Sequence, residues 1–247
     1  MTWNPAQYHR FEDERKQPFI DLLSLVEKRP GMRILDLGCG TGELTREIHE
    51  VLGARETIGI DASAAMLERA RTFENQSIRF GQQTVEEFVD PLPFDLIFSN
   101  AALHWVPDHR TLLPRLTAML SPQGQLAVQV PANDDHPSHR VAARIAAAHG
   151  AQPRPDHLLS PEAYATLLAS VGSYRRQHVR SQIYGHWLRE PRAVVEWVKG
   201  ALLTHYEEQL GDRYPAFLAE YEQELLKELP DHRPYFYTYR RILFWGS

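Results

Sequence analysis

Apolar residues form two patterns along the first half of the chain: short continuous runs, and longer stretches in which they recur every three or four residues. The runs predict buried strands, and the second spacing predicts helices with one apolar face. Strands are predicted at residues 33–37, 57–60, 77–80, 94–99 and 125–130. Helices are predicted around residues 19–26, 44–52, 66–70 and 112–120. Strands that alternate with helices indicate an α/β fold, with a parallel sheet and helices on both faces.

Local sequence features set several of these boundaries. Arg29-Pro30-Gly31 ends the first helix, which makes residues 1–30 a helical segment ahead of the sheet. Ser63 is placed to cap the helix after the second strand. Ligands of such sheets lie beyond the carboxyl ends of the strands. The chemistry is therefore expected near Asp36, Asp61 and Asn100, which fall at or near such ends.

The alternation stops after residue 130, where polar residues and prolines become frequent. The elements predicted beyond it are a helix at 140–149, a helix from Ser160-Pro161 to Gly172, a helix around Trp197, a charged segment at 214–229 and a late strand at 235–245. The sequence contains no repeat or linker that would separate two domains. We therefore expect one domain over residues 1–247, with a partial helical cap inserted at 131–230.

Residues 34–42 run from a predicted strand into three glycines at alternate positions, Gly38, Gly40 and Gly42. Glycine lets the backbone approach a ligand and adopt the positive φ angles of a tight turn. A pyrophosphate-binding turn has the spacing G-x-G-x-x-G, whereas this turn reads D-x-G-x-G-x-G and begins with Asp36. A carboxylate repels phosphate and suits an ammonium group. The motif therefore favours S-adenosylmethionine over a dinucleotide, and Cys39 supplies a small side chain between two of the glycines.

Asp61 closes the second strand, where a carboxylate can accept hydrogen bonds from both hydroxyls of a ribose. Nicotinamide enzymes share this acid, so Asp61 alone does not separate the two cofactors. Met66 is placed either to pack on an adenine ring or to lie in the core. The stretch Gln83-Thr84-Val85, beyond the third strand, is expected to border the adenine through backbone groups or Gln83.

The segment after the fourth strand, Ser99 to Trp105, is expected to border the methyl group of a bound S-adenosylmethionine. Asn100 carries two donors and one acceptor, which suits either end of the cofactor's amino acid. His104 and Trp105 are placed to line the acceptor site. His104 is also the candidate general base, because a hydroxyl or ammonium acceptor must lose a proton, whereas a carboxylate is already ionised at neutral pH.

Composition narrows the function classes further. Hydrophobic residues make up 43% of the chain and charged residues 24%, as in an ordinary globular protein. The net charge of −5 argues against a broad nucleic-acid surface. We expect no signal peptide, no membrane span and no resident metal, and the single cysteine indicates a reducing cytoplasm. The expected partner is a small molecule, and the sequence leaves the oligomeric state open.

The glycine motif with Asp36 resembles the first motif of the class I S-adenosylmethionine-dependent methyltransferases. The resemblance implies a Rossmann-like sheet that is mostly parallel, with an antiparallel last strand. Thr84 stands where that class often places an acid that accepts from the adenine amino group. The residues expected to contact the cofactor are Asp36, Gly38, Cys39, Gly40, Asp61, Ala62, Met66, Gln83, Thr84, Val85 and Asn100.

Further segments are similar to the trans-aconitate 2-methyltransferase family, over nearly the whole chain. They include Trp3-Asn4-Pro5, Trp105-Val106-Pro107-Asp108-His109, Leu126-Ala127-Val128-Gln129 and Arg241-Ile242-Leu243-Phe244. The resemblance implies a small acid that is methylated on a carboxylate oxygen, under a lid that includes the amino-terminal segment. The residues expected to bind this substrate are Tyr8, Arg15, His104, Trp105, Trp197 and Tyr237.

Two positions depart from the family pattern. Gln17 and Thr204 stand where the family tends to place arginines, which bind carboxylates in pairs of hydrogen bonds. Their absence points to a less charged acceptor, unless Arg15, Arg240 and Arg241 compensate. A methyltransferase for a neutral or amine-bearing metabolite is the first alternative. A nicotinamide-binding oxidoreductase, or a nucleotide-binding protein without catalysis, is the second, and Asp36 with its alternating glycines counts against it.

Overall fold

The described part of the chain forms a sheet of seven strands. A computed structural model describes residues 12–172 and 174–247, with side chains from residue 16 onward. The strands are β1 (Arg33–Leu37), β2 (Glu56–Asp61), β3 (Ile78–Gln82), β4 (Phe94–Asn100), β5 (Leu120–Pro131), β6 (Gln177–Leu188) and β7 (Tyr235–Gly246). The helices are α1 (Glu12–Leu23), α2 (Glu43–Leu52), α3 (Ala64–Ala70), α4 (His109–Ala118), α5 (Pro137–Ala148), α6 (Pro161–Val171), α7 (Ala193–Lys199), α8 (Leu202–Leu210) and α9 (Tyr214–Glu228).

The strand order is β3-β2-β1-β4-β5-β7-β6. Strands β1 to β5 pair in parallel, and β7 runs antiparallel to β5. All five residues of β1 are buried, as expected of a central strand covered on both faces. The predicted fold class, a mostly parallel sheet with an antiparallel last strand, is confirmed. The carboxyl ends of β1, β2 and β4 therefore meet at one edge of the sheet.

Capping residues explain several helix boundaries. The Ser63 hydroxyl accepts a hydrogen bond from Met66 N at 3.4 Å, and the Ser160 hydroxyl accepts one from Ala163 N at 3.2 Å. Gly172 ends α6 with a φ of 73°, in the left-handed region that glycine enters without strain. These three predicted caps are confirmed.

The structure differs from the sequence predictions at several places. Strand β6 is not predicted, because half of its residues are exposed and the strand has no continuous apolar run. Leu120 is predicted at the end of a helix, but α4 ends at Ala118 and Leu120 begins β5. Of the segment 1–30, residues 1–11 lie outside the described residues, and α1 ends at Leu23 rather than near Arg29.

The chain divides into two compact units. The first unit contains residues 17–131, 157–182 and 241–247, and so holds most of the sheet. The second unit contains residues 132–156 and 183–240, together with the described residues 12–16. Its core is aromatic, with Tyr206, Phe217 and Tyr221 buried among α8 and α9. A single domain with a cap at 131–230 stays a prediction about how these units are organised.

The described helices were also compared with the requirements of a bilayer. None of them combines the length and the apolar character that a membrane crossing requires.

Candidate active site

The glycine turn between β1 and α2 is held against β2. The N–H groups of Gly38 and Cys39 both donate to the Ile60 carbonyl, at 2.8 and 2.9 Å. Gly38 has a φ of +73°, and a Cβ built on it would lie 2.1 Å from the Cβ of Ala102. At Gly40, with a φ of +56°, such a Cβ would have nothing within 4 Å. The turn therefore needs glycine at Gly38 for close packing, and it presents open space at Gly40.

Asp36 is a buried carboxylate next to this turn. It is 4% exposed, and its Oδ2 accepts a hydrogen bond from Thr45 Oγ1 at 2.6 Å. Burial raises the pKa of Asp36 to about 7, the Thr45 hydrogen bond opposes that shift, and the negative charge of Asp61 adds to it. A buried carboxylate is stabilised by a nearby cation. Asp36 therefore offers the partner that a ligand ammonium group needs.

Asp61 links the turn to the start of α3. Its Oδ2 accepts from Gly40 N at 3.0 Å, and its Oδ1 accepts from Ser63 N at 2.8 Å. Each carboxylate oxygen has a second lone pair, so both can still accept a hydrogen bond from a ribose hydroxyl. The two backbone bonds hold the carboxylate in one orientation at the end of β2.

The residues expected around the adenine lie beyond β2 and β3. The Ala62 carbonyl accepts from Gln82 Nε2 at 3.2 Å, and Gln83 N donates to the Asp61 carbonyl at 3.2 Å. The Thr84 hydroxyl donates to the Glu87 carboxylate at 3.0 Å. Two other residues are predicted to border the adenine. Met66 is half-buried in α3, and the Val85 carbonyl accepts a hydrogen bond from Arg115. Thr84 is thus occupied by a local turn, and its contact with adenine stays a prediction.

Asn100 ends β4 and begins the loop that carries the candidate acceptor residues. Ala101 follows with a φ of 57°, and its N–H donates to the Gln129 carbonyl at 2.9 Å. The side-chain atom Asn100 Oδ1 is buried and has no hydrogen-bond partner among the residues that the structure describes. Together with the Asp36 carboxylate, it gives this edge two buried acceptors. An ammonium group, which only donates, fits such a pair, so the residues present suit S-adenosylmethionine.

His104 and Trp105 lie in a 3₁₀ turn, Leu103–Trp105, within this loop. Their ring centroids are 4.6 Å apart. His104 is buried, whereas Trp105 is 41% exposed. The turn thus brings together the two residues expected to line the acceptor site, and the general-base role of His104 stays a hypothesis.

A buried His109–Tyr164 pair holds this turn in place. His109 Nε2 lies 2.9 Å from the Leu103 carbonyl, and Nδ1 lies 2.5 Å from the Tyr164 hydroxyl. Because a carbonyl only accepts, Nε2 carries the hydrogen and the tyrosine donates to Nδ1. Burial lowers the pKa of His109, which keeps the ring neutral. The sequence shows His109 only as one residue of a family segment, and nothing in its spacing reveals this supporting role.

The other residues expected to bind the substrate lie elsewhere. Trp197 in α7 and Tyr237 in β7 belong to the second unit, where their ring centroids are 5.7 Å apart. The Tyr237 hydroxyl is buried and accepts from Asn133 Nδ2 at 3.4 Å. Tyr8 lies outside the described residues, as does the side chain of Arg15. The structure therefore brings Trp197 and Tyr237 together, and their substrate contacts stay predictions.

The two positions that depart from the family pattern have local hydrogen bonds. Gln17 Nε2 donates to Asp21 Oδ1 at 2.8 Å. The Thr204 hydroxyl donates to the Ala201 carbonyl at 2.7 Å. Neither side chain brings a positive charge to the protein.

Comparison with known proteins agrees with this geometry. Residues 8–174 match the methyltransferase domain family. The trans-aconitate 2-methyltransferase of Deinococcus radiodurans is 41% identical, with 99% of this chain and 97% of that protein covered. The enzyme of the same name from Variovorax paradoxus is 38% identical, with 93% and 91% covered.

A solved structure shows the same fold. The S-adenosylmethionine-dependent methyltransferase from Mesorhizobium loti superimposes with a TM-score of 0.54 at 20% identity, and 94% of this chain and 98% of that chain are covered. The family match spans the glycine turn, Asp61 and the Asn100 loop, and the similarity to the two enzymes continues through the second unit. The chain therefore belongs to the S-adenosylmethionine-dependent methyltransferases and, within them, to the trans-aconitate 2-methyltransferase family.

Proposed function

We propose that this methyltransferase methylates a carboxylate oxygen of a small organic acid, and that trans-aconitate is the first acceptor to test. The observation that carries the proposal is the extent of the similarity. It covers 99% of the chain against the Deinococcus radiodurans enzyme, so it includes residues 183–240 as well as the cofactor half. Cofactor-binding motifs are shared by methyltransferases with many acceptors, whereas similarity through the remaining segments reflects the acceptor as well.

The cofactor roles that we propose follow from the hydrogen bonds already described. Asp36 and Asn100 hold the ammonium group, because both present buried acceptor atoms at the carboxyl ends of neighbouring strands. Asp61 accepts from the ribose hydroxyls, and its backbone bonds to Gly40 and Ser63 keep it oriented. The turn at Gly38, Cys39 and Gly40 lets the backbone approach the ligand. Ala62, Met66, Gln83, Thr84 and Val85 border the adenine.

The reaction asks the protein for position and for exclusion of water. When bound, S-adenosylmethionine would supply a sulfonium methyl group that a carboxylate oxygen can attack in line, so that an O–C bond forms as the C–S bond breaks and S-adenosylhomocysteine leaves. A carboxylate is ionised at neutral pH, so no side chain needs to remove a proton. The loop with His104 and Trp105 then acts by positioning the acceptor and by excluding water from the site. These two effects provide most of the rate enhancement in such displacements.

A neutral or amine-bearing acceptor is the second candidate. It is favoured by Gln17 and Thr204, which supply no cation where the family tends to place arginine. An ammonium acceptor would have to lose a proton before it could attack, and His104 is the buried base in the candidate loop. The two candidates therefore differ in the role that they assign to His104.

A panel of acceptors with a labelled methyl donor tests the proposal. We expect incorporation into trans-aconitate or another small polycarboxylic acid, with the label released by mild alkaline hydrolysis of the ester. We also expect His104→Ala to keep the shape of the pH dependence of kcat between about pH 6 and 9, since a carboxylate needs no base. Incorporation only into amines or phenols, with kcat lost in His104→Ala, would contradict the carboxylate reading and support the second candidate.

We further propose that the acceptor is a metabolite and that the enzyme works in the cytoplasm. The net charge of −5 provides no general attraction for nucleic acid. The one cysteine, Cys39, has no second cysteine in this sequence with which to form a disulfide, as is usual for proteins of a reducing compartment. Cell fractionation followed by the methyl-transfer assay checks the location, and activity confined to the membrane fraction would contradict it.

A further inference from the structure

Two glutamines of β5, Gln125 and Gln129, are fully buried on the same face of the strand. Gln125 is satisfied at both ends, because its Oε1 accepts from Glu27 N at 2.8 Å and from Trp245 Nε1 at 3.0 Å, while its Nε2 donates to the Glu27 carbonyl at 2.9 Å. Gln129 is satisfied at one end only. Its Oε1 accepts from Arg241 at 3.1 Å, but its buried Nε2 has no hydrogen-bond partner in the part of the chain that the structure describes.

The contrast between these glutamines points to a ligand. A buried N–H without an acceptor is destabilising, because it has lost its hydrogen bonds to water without gaining another, so natural proteins rarely leave one unmatched. The two glutamines are four residues apart in β5, and each is hydrogen-bonded to a residue of β7. Trp245 donates to Gln125, and Arg241 donates to Gln129. The first pair is completed by the protein itself. The second pair leaves a donor at the end of the strand where ligands of parallel sheets lie.

The strand register places this donor beside the cofactor residues. Asn100 of β4 pairs with Gln129 of β5, and Pro131 of β5 pairs with Arg241 of β7. Paired residues point to the same face of a sheet, and so do residues two apart along a strand. Asp36 pairs with Phe98, two residues before Asn100, so it shares this face as well. One face of the sheet edge therefore carries Asp36, Asn100, Gln129 and Arg241 in that order.

The four side chains on this face differ in hydrogen-bonding character from one end of the row to the other. Asp36 and Asn100 present acceptor atoms, which suit the ammonium of the cofactor. Gln129 presents an N–H donor and Arg241 a guanidinium, which suit a carboxylate. A carboxylate accepts up to four hydrogen bonds, so it can bind the amide N–H and the guanidinium at once.

We propose that Gln129 and Arg241 bind a carboxylate of the acceptor that is not methylated, and so select polycarboxylic acids. This inference rests on the proposed function. A carboxylate held by an arginine has its negative charge stabilised and is a weak nucleophile, so the carboxylate that attacks is a second one. The pair supplies the positive charge that Gln17 and Thr204 do not. The acceptor is accordingly an acid with two or more carboxylates.

The test separates acceptor binding from cofactor binding, because the methionine end of the cofactor also carries a carboxylate. The variants are Gln129→Glu, which keeps an acceptor for Arg241 and replaces the donor with a second acceptor, and Arg241→Met. Calorimetry gives the Kd of S-adenosylhomocysteine, and then the Kd of trans-aconitate for the protein saturated with it. Steady-state assays give kcat and KM for the best acid acceptor and for its mono-acid analogue.

We expect the Kd and KM for the polycarboxylic acid to rise about 10- to 100-fold in either variant, as a lost charge-assisted hydrogen bond implies. The Kd of S-adenosylhomocysteine should change less than twofold. The KM for the mono-acid should change little, since it lacks the second carboxylate. Gln125→Leu is the matched glutamine control and should lower the Tm without a selective rise in KM. Arg79→Met removes an arginine of β3 that pairs with Glu56 and should leave all constants unchanged.

Several results would overturn the inference. If S-adenosylhomocysteine binding weakens by the same factor while acceptor binding does not change, the pair holds the cofactor's carboxylate. If neither constant changes in a variant that melts like the parent, the pair is structural. Binding of trans-aconitate that depends on Arg241, with no methylation of any acid in the panel, would instead refute the proposed function and leave this subsite standing. If the parent protein methylates a mono-acid but binds no polycarboxylic acid, this inference fails and the proposed function stands. If it binds no organic acid at all, both proposals fail.

Discussion

Replacement of Asp36 by asparagine should abolish the pH dependence of cofactor binding. In the free protein Asp36 is buried beside Thr45, and its pKa lies at about 7. An ammonium ligand would stabilise the ionised form, so the proton is expected to leave when the ligand binds. Binding of S-adenosylhomocysteine, which carries the same ammonium group, should therefore release protons below about pH 7.

The size of the effect follows from the shift. The pKa of Asp36 rises from 3.8 to about 7, and three pKa units correspond to roughly 4 kcal/mol. Between about pH 4 and 7 the unfolded chain has lost this proton and the folded protein keeps it, so the stability of the free protein falls as the pH rises through this window. A ligand ammonium group pairs only with the ionised carboxylate, so its affinity rises as the fraction of ionised Asp36 rises with pH. Its affinity should be about fivefold higher at pH 7 than at pH 6.

The assay is calorimetry of S-adenosylhomocysteine binding at pH 6 in two buffers with different heats of ionisation. The parent protein should release about nine-tenths of a proton on binding at pH 6. Asp36→Asn should bind more weakly and release almost none. Asp212→Asn, which removes an exposed carboxylate in the turn Gly211–Arg213, is the control and should behave as the parent. Equal proton release by the parent and Asp36→Asn would refute the role of Asp36.

Three further substitutions test other parts of the site. Gly38→Ala should abolish S-adenosylhomocysteine binding and lower the Tm, since its Cβ would lie 2.1 Å from a side chain of the neighbouring loop, whereas Gly31→Ala, with nothing within 4 Å, should keep binding. Asp61→Ala should weaken binding by about 1–3 kcal/mol in calorimetry, and an unchanged Kd would argue against its ribose contact. Tyr164→Phe should cost about 1–2 kcal/mol in urea unfolding, because His109 loses its donor, and no loss would show that the bond contributes little.

Much of the fold is accessible from the sequence, because central strands are buried on both faces. The pattern predicts β1 at Arg33–Leu37, as observed, since its apolar run ends directly at a glycine. Strand β6 is different, because it lies at the end of the sheet beside β7 and half of its residues are exposed. No continuous apolar run marks it in the sequence. Edge strands of this kind leave little trace in composition.

The site is predictable where it depends on local spacing. Asp36 and Asp61 are placed at strand ends by one β-α-β unit, and the structure has them there. Gln129 and Arg241 are far apart in the sequence and come together only through the pairing of β5 with β7. Their hydrogen bond, and the donor that it leaves without a partner among the described residues, depend on that long-range register. Sequence patterns report such a pair only as two separate family positions.

Cys39 also gives the cofactor turn a built-in chemical reporter. Burial raises the pKa of its thiol, and the nearby charges of Asp36 and Asp61 add to that shift. The thiolate is the reactive form of cysteine, so alkylation should proceed only when the turn opens. The rate of alkylation would then measure how often that opening occurs, and a bound ligand should slow it. Because the sequence contains no other cysteine, one introduced on the surface would be labelled first, with the native thiol left in place.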